Sequence, residues 1–369
     1  MTTQKKLRVA ISTGGGDAPG LNAVIRAIVL ASEQRGWECF GIRDGFNGLL
    51  MPEHYNGQGV MPLTRQSVMG ITHLGGTILG TTNRGNPCSF PVPQPDGSFV
   101  ETDRSQELVD RFRDAGLDAL ITIGGDGSLS IGNVLATRGL RVVGVPKTID
   151  NDLDKTLMTF GFDTAVSFAT ECLDRLHSTA ASHRRIMVVE VMGRYAGWIA
   201  LHAGIAGNAD VILIPEIPYH LDKVAEVVKR REKSGRTYTL VVVAEGAKPV
   251  GGNVSVMGKA VGQAEKLGGV GATVAHGLEQ ATGKEARAVV LGHLLRGGSP
   301  TSFDRLVALR FGAAAVRALD AGQSSVMVSL APPTVRYEPL SEVVKRMKTV
   351  SLDSDTIVTA RDLGIAFGD

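Results

Sequence analysis

The chain has 369 residues, long enough for two domains that share a cleft. Lys plus Arg number 39 against 37 Asp plus Glu, leaving no basic surplus for nucleic acid or an anionic membrane, and 43% hydrophobic with 21% charged residues suits a soluble globular protein. The cysteines Cys39, Cys88 and Cys172 form an odd set without CxxC spacing, and no signal-like or membrane-length apolar run occurs, which points to a reducing cytoplasm and no structural metal site.

In chain order, residues 7–12 read as a first strand and residues 21–32 as a helix, joined by a Gly-rich turn through Gly14, Gly15 and Gly16. The dinucleotide fingerprint fails there, because Pro19 takes the third glycine slot. Glu38 to Ile42 is the next strand. Residues 74–85 form a turn-rich loop ending in Asn83-Arg84, and residues 87–105 a Pro-rich surface excursion. After a helix around Leu108 and Phe112, residues 119–123 make a buried strand that runs into Gly124-Gly125-Asp126-Gly127, with Ser128 read as the N-cap of the following helix. A helix N-terminus behind such a turn offers free N–H groups and a positive dipole end to an anion. Asp126 fits that anion site only with a cation between it and the phosphates, so the turn implies a Mg²⁺-nucleotide or Mg²⁺-pyrophosphate site.

Residues 140–145 read as a strand ending in the loop 146–152, and further strands follow at 186–191, 211–214, 239–244, 288–291 and 325–330. Strands and helices alternate throughout, which implies an α/β fold of doubly wound, mostly parallel sheets with ligands at the carboxyl ends of the strands. The polar and Gly-rich motifs sit at those ends. A loose Walker pattern from Gly252 to Gly258-Lys259 fails, with Ala260 where Ser or Thr belongs. Residues 246–271 read as a mobile surface insertion.

The loop 146–152 packs Lys147, Thr148, Asp150 and Asp152 together. A carboxylate there can accept a proton from an attacking alcohol while Lys147 neutralises phosphate charge, although an ordinary Asp/Asn turn explains the same residues. Arg185, Arg194, Arg287, His293 and Arg296 lie near strand ends beside glycines, as a phosphate-bearing substrate requires; surface ion pairs are the plainer alternative for any one of them.

Gly-Gly-Asp-Ala-Pro-Gly-Leu-Asn at 15–22, Gly-Gly-Asp-Gly-Ser at 124–128, Thr-Ile-Asp-Asn-Asp at 148–152, Met-Gly-Arg at 192–194 and Leu-Gly-His-Leu-Leu-Arg-Gly-Gly-Ser-Pro at 291–300 together resemble the phosphofructokinases, over residues 7 to 330. The resemblance implies two domains flanking a cleft, with residues 1–147 and 294–325 binding the phosphoryl donor and residues 148–293 and 326–369 the sugar phosphate. It implies transfer of a phosphoryl group to the 1-hydroxyl of fructose 6-phosphate. Asp150 then acts as the base, with Thr148 at the attacking end of the sugar and Arg194 on the transferring group. Asp126 would bind Mg²⁺, while Gly15, Gly125, Gly127, Ser128, Arg84 and Lys147 would meet the donor. Met192, Gly193, Glu245, His293 and Arg296 would hold the sugar phosphate. In this family the residues matching Arg185 and Arg287 come from a neighbouring subunit, which implies a homodimer or homotetramer.

The donor signals conflict. Gly127 resembles ATP users, because an aspartate there would occupy the space of the α-phosphate; Lys147 is the pyrophosphate-type residue. ATP is favoured on the ground that a blocked pocket is absolute whereas a lysine can swing aside, with a pyrophosphate-dependent enzyme and a non-catalytic sugar-phosphate-binding paralogue as alternatives. Arg26, Arg65 and Arg236 keep part of the family's basic effector pocket, but Leu30, Gln66 and His177 replace its other residues, which implies little response to ADP or phosphoenolpyruvate.

Overall fold

The computed structural model describes residues 6–258 and 266–369. Two sheets organise them. The larger has eight strands in the order Thr334–Pro339, Val326–Ala331, Val142–Thr148, Ala119–Gly124, Arg8–Thr13, Glu38–Ile42 and Val60–Leu63, with the short Phe160–Gly161 paired beside Val142–Thr148. Its five central strands run parallel, and the first and last of the series are antiparallel edges. The smaller sheet is wholly parallel, in the order Val211–Leu213, Thr239–Ala244, Ile186–Val191 and Ala286–Val290. Continuous apolar runs without alternation explain why both central sets are buried on both faces. Helices Leu21–Glu33 and Ser302–Asp320 pack together on one face of the large sheet, where Gly312 lets the backbones approach, since a Cβ there would lie 2.7 Å from the Val24 carbonyl oxygen.

Several boundaries differ from expectation. Strand Val142–Thr148 continues through Pro146 to Thr148, so Lys147 and Thr148 stand on a buried strand and only the residues beyond them form a loop. A central-strand proline reads as a stop because it cannot donate to a ladder, but Phe160–Gly161 extends the sheet beside Lys147 and Thr148. Ser128 is not an N-cap. The helix begins at Asp126 with Gly125 before it, and Ser128 lies buried in the first turn against Gly14 and Gly124.

Strands Val326–Ala331 and Thr334–Pro339, assigned from sequence to the sugar-phosphate domain, belong to the large sheet because Val328 and Leu330 fill its core. Only the last stretch, with Val350, Ile357, Ala360, Ile365 and Phe367, joins the core of the small sheet. The 246–271 segment is tied down where it is described: the Tyr219 N–H donates to the Lys248 carbonyl, the Val250 N–H donates to the Tyr219 carbonyl, and Val256–Gly258 pairs with Lys266–Leu267. Lys259 and Ala260 of the failed Walker pattern lie outside the described residues.

Candidate functional site

The carboxyl ends of Arg8–Thr13 and Ala119–Gly124 stop side by side, with Thr13 opposite Ile123. The Gly14 N–H donates to the Ile123 carbonyl at 3.0 Å and the Gly15 N–H to the Thr82 carbonyl at 3.1 Å. Gly15 has φ of 76°, a left-handed conformation that a side chain would strain. The Thr81 hydroxyl donates to the Gly15 carbonyl at 2.6 Å, stitching the 81–84 loop over the turn and bringing exposed Arg84 to the same side. A Cβ added to Gly127 would meet nothing within 4 Å, so the surface in front of the helix Asp126–Thr137 is open.

Asp126 faces that opening and, among the described residues, has no hydrogen-bond or ion-pair partner; nearby protein volume raises its carboxyl pKa by desolvation. Mg²⁺ suits such a place, because it takes one or two carboxylates and fills its remaining positions with substrate phosphates and water. Among the described residues no group of three or more His, Cys, Asp or Glu gathers into a cage. The single carboxylate therefore fits a cation brought with the phosphates.

Lys147 lies beneath the turn, 3% exposed, and its ammonium donates to the Gly16 carbonyl. Burial, then the Arg296 charge, pull its pKa down to about 8 against the opposing pull of Asp17, Asp150 and Asp152. The lysine expected to swing freely is thus docked on backbone, away from the space before Gly127. Arg296 leans on the same turn, donating to the Asp17 carbonyl at 3.2 Å, and a Cβ on Gly16 would come within 2.7 Å of its guanidinium.

Past the end of the Lys147 strand, the Asp150 N–H donates to Thr148 Oγ1 at 3.1 Å. Asp150 Oδ1 is buried and has no protein partner, an arrangement that costs stability unless something else uses it. Burial raises the Asp150 pKa, opposed by Arg296, Lys147 and Arg194. Asp152 Oδ1 is likewise unpartnered, and burial followed by the Asp150 charge raises that carboxyl to about 6. Asp126 also repels Asp152, so the donor turn and the acceptor loop feel each other's charge.

The small sheet supplies the opposite wall. Strand Ile186–Val191 leads into Met192, Gly193 and Arg194, and strand Thr239–Ala244 into Glu245, whose N–H donates to the Val191 carbonyl at 2.9 Å. Gly193 adopts φ of 143°, and Gly246 approaches so closely that a Cβ on it would stand 2.0 Å from the Arg194 carbonyl oxygen. The Gly193 backbone and the close approach of Gly246 fix where Arg194 leaves the strand. Its guanidinium stacks 5.5 Å from the Tyr195 ring centroid and lowers the pKa values of Asp150 and Glu245. Glu245 is nonetheless raised to about 7, first by burial and then by Asp150. Met192 packs partly against the small sheet's core, and His293 is exposed on the turn Gly292–Arg296.

Strand ends and the turns behind them thus bring Gly15, Gly125, Asp126, Gly127, Ser128, Lys147, Thr148, Asp150, Gly193, Arg194, Glu245 and Arg296 together, while Arg84 is exposed on the loop above the Gly15 turn, Met192 packs on the small sheet's core and His293 is exposed beside Arg296. Arg185 and Arg287 are elsewhere. They stand at the amino ends of Ile186–Val191 and Ala286–Val290, each paired to Glu285, at 2.6 Å and 2.5 Å. Asp152 was visible in the sequence only as one acid among several; its burial beside Asp150 is what marks it. Lys348 carried no signal at all, because its partners are about 190 residues away in sequence.

Residues 8–319 match the family model described as Phosphofructokinase. A curated relative from Chloroflexus aurantiacus named "ATP-dependent 6-phosphofructokinase" is 51% identical over 365 residues, covering 99% of each chain. One from Amycolatopsis mediterranei named "Pyrophosphate--fructose 6-phosphate 1-phosphotransferase" is 47% identical over 353 residues, 94% of this chain and 97% of that one. Among solved structures, Pichia pastoris phosphofructokinase in the T-state shares 31% identity with a TM-score of 0.79, over 98% of this chain and 36% of that longer one. A family match across the two-sheet body, with relatives near half identity along almost the full length, makes this chain a member of the phosphofructokinase family.

Proposed function

We propose that the chain transfers the γ-phosphoryl group of ATP to the 1-hydroxyl of fructose 6-phosphate, with Asp150 as the base. The observation that carries this reading is the buried, unpartnered Oδ1 of Asp150, set at the seam between a backbone anion turn and an arginine from the opposite wall. In its ionised form a carboxylate there accepts the hydroxyl proton as the oxygen attacks. Thr148 orients the Asp150 backbone, and Glu245 accepts hydrogen bonds from the sugar hydroxyls. The Gly15 and Gly125–Ser128 backbone cradles the donor phosphates, and Arg84 meets the nucleotide. Lys147 and Arg194 offset the charge that spreads over the phosphoryl oxygens. His293 and Arg296 hold the 6-phosphate. Asp126, together with the donor phosphates, would hold Mg²⁺, which when bound would neutralise charge on the donor.

ATP is favoured over pyrophosphate by the empty space in front of Gly127, which leaves an α-phosphate unobstructed, and by the docking of Lys147 on the Gly16 carbonyl. Initial rates on one purified sample, with fructose 6-phosphate and Mg²⁺ and either ATP or pyrophosphate, test the donor. Turnover with pyrophosphate alone overturns the ATP reading. Asp150→Asn tests the base: kcat should fall about 10²- to 10⁴-fold while fructose 6-phosphate still binds. Near-parental turnover in that variant would sink the assignment and revive a different base.

Arg185 and Arg287, which the resemblance to the phosphofructokinases assigns to a neighbouring subunit's sugar phosphate, support a homo-oligomer; in this chain they stand at the amino ends of their strands, away from its own cleft. Arg287→Ala should raise the KM for fructose 6-phosphate without emptying the ATP site, and sedimentation should find no active monomer. Weak effector response is supported by His177, whose two ring nitrogens are engaged by Tyr238 Oη at 3.1 Å and the Gly207 carbonyl at 2.8 Å, and by Arg65, paired to Glu33 at 3.1 Å. ADP should leave the fructose 6-phosphate saturation curve unchanged. Among the described residues no helix is long and apolar enough to cross a membrane, and a cytoplasmic location is part of the same reading.

A further inference from the structure

Between Val343 and Val350 the chain leaves the large sheet and enters the core of the small one. Lys348 stands in the middle of this crossing. Its ammonium donates to Asn151 Oδ1 at 2.9 Å and to the Thr156 and Leu157 carbonyls at 3.0 Å each, using all three of its protons. Its backbone N–H donates to the Asp152 carbonyl at 2.8 Å. Asn151, the residue after the base, holds a left-handed φ of 51°, and the same Oδ1 accepts from the Thr159 N–H at 3.2 Å. Lys348 therefore grips the acceptor loop directly after Asp150, at Asn151 and Asp152, and again at Thr156 and Leu157.

The same few residues grip the opposite wall. The Trp198 indole N–H donates to the Lys348 carbonyl at 3.0 Å, and the Lys348 ammonium lies 5.8 Å from the Trp198 ring centroid. The Val350 N–H donates to Glu216 Oε1 at 2.8 Å, and both oxygens of Glu216 accept from the Gly197 N–H at 3.1 Å. Gly197 and Trp198 follow Arg194 by three and four residues. One short strap thus fastens the loop of Asp150 to the loop of Arg194, through Asn151 and Asp152 on one side and Gly197 and Trp198 on the other.

We propose that Lys348 is a positioning residue for phosphoryl transfer, the centre of a strap, residues 348–350, that sets the spacing between the base Asp150 and the charge-stabilising Arg194. The proposal rests on the roles given to those two residues above. Transfer between two bound substrates depends on geometry more than on covalent chemistry, and a displacement near 1 Å costs on the order of 10²-fold in rate. A tie that served folding alone would move stability and leave kcat intact once the protein is folded.

The test uses the full-length protein with ATP, Mg²⁺ and fructose 6-phosphate. Lys348→Met keeps the aliphatic stem and removes all three donors. Its kcat should fall roughly 10- to 100-fold, with both KM values within about threefold of the parent, since the alignment of Asp150 with Arg194 bears on transfer rather than on holding either substrate. Trp198→Phe removes one bond of the strap and should lower kcat about threefold or more with Tm near the parent; the double variant should cost no more than Lys348→Met alone, as residues acting through one unit are non-additive. A kcat within about twofold of the parent in Lys348→Met, or full additivity in the cycle, overturns the proposal. Should Lys348→Met not fold, Trp198→Phe decides, and parental kcat there overturns it. Loss of the base reading is told apart by Asp150→Asn, whose outcome does not depend on Lys348.

Discussion

At the scale of single residues, donor choice reduces to what occupies the space before helix Asp126–Thr137. Gly127 leaves it empty, and Lys147 is withdrawn beneath the turn. Gly127→Asp should therefore fit the free protein without strain and act on ATP alone. A carboxylate about 4 Å from an α-phosphate is repelled by several kcal/mol at an effective dielectric near 20, less after solvent screening, so kcat/KM for ATP should fall at least about tenfold. Calorimetric melting separates this from misfolding: an unchanged Tm with lost ATP turnover is the expected pair. Parental ATP kinetics would mean that the α-phosphate does not pass in front of residue 127.

At the scale of elements, the site is made by strand ends held in register by glycines that exclude side chains. The Gly193 and Gly246 pair is the sharpest case, because Arg194 leaves its strand through a contact too close for any Cβ. Gly246→Ala should push the Arg194 loop aside and lower kcat on the order of 10²-fold, while the Gly15 turn and ATP binding stay intact. Steady-state kinetics joined to ATP titration would show it, and a parental kcat would show that Arg194 tolerates displacement. Strand Val142–Thr148 shows how an element can mislead in one dimension. Pro146 reads as its end, yet the partner strand Phe160–Gly161 carries the ladder on to Thr148 and places Lys147 inside the protein.

At the scale of the whole molecule, two walls bring acids and bases into one cleft, and the charge balance sets the working pH. Glu245, raised to about 7 by burial and Asp150, and Asp150, raised by burial, serve as acceptors only when ionised, so kcat/KM should fall as pH drops below about 7. Lys147 is held down to about 8 by burial and Arg296, so its charge, and with it donor affinity, should fade above that value. The limbs belong to a coupled cluster rather than to single groups. A bell in kcat/KM is the expected profile, with the alkaline limb shifted upward in kcat, because bound phosphates favour the ammonium. Lys147→Met should remove the alkaline limb; its persistence would assign that limb to another group.

The sequence by itself determined the α/β class and the strands that end in glycines, since these depend on local patterns: buried apolar runs and turns that need bare backbone; the roles expected of the cleft residues came from the resemblance of five motifs to the phosphofructokinases. Only the tertiary structure decided which sheet the strands Val326–Ala331 and Thr334–Pro339 join, that Lys147 is docked rather than free, and that Asp152 shares the burial of Asp150. It alone showed Arg185 and Arg287 paired to Glu285 away from the cleft, and Lys348 fastened to both walls. The physical reason is that hydrogen bonding, desolvation and electrostatic coupling depend on distance in space, and these partners are set by packing between segments far apart along the chain.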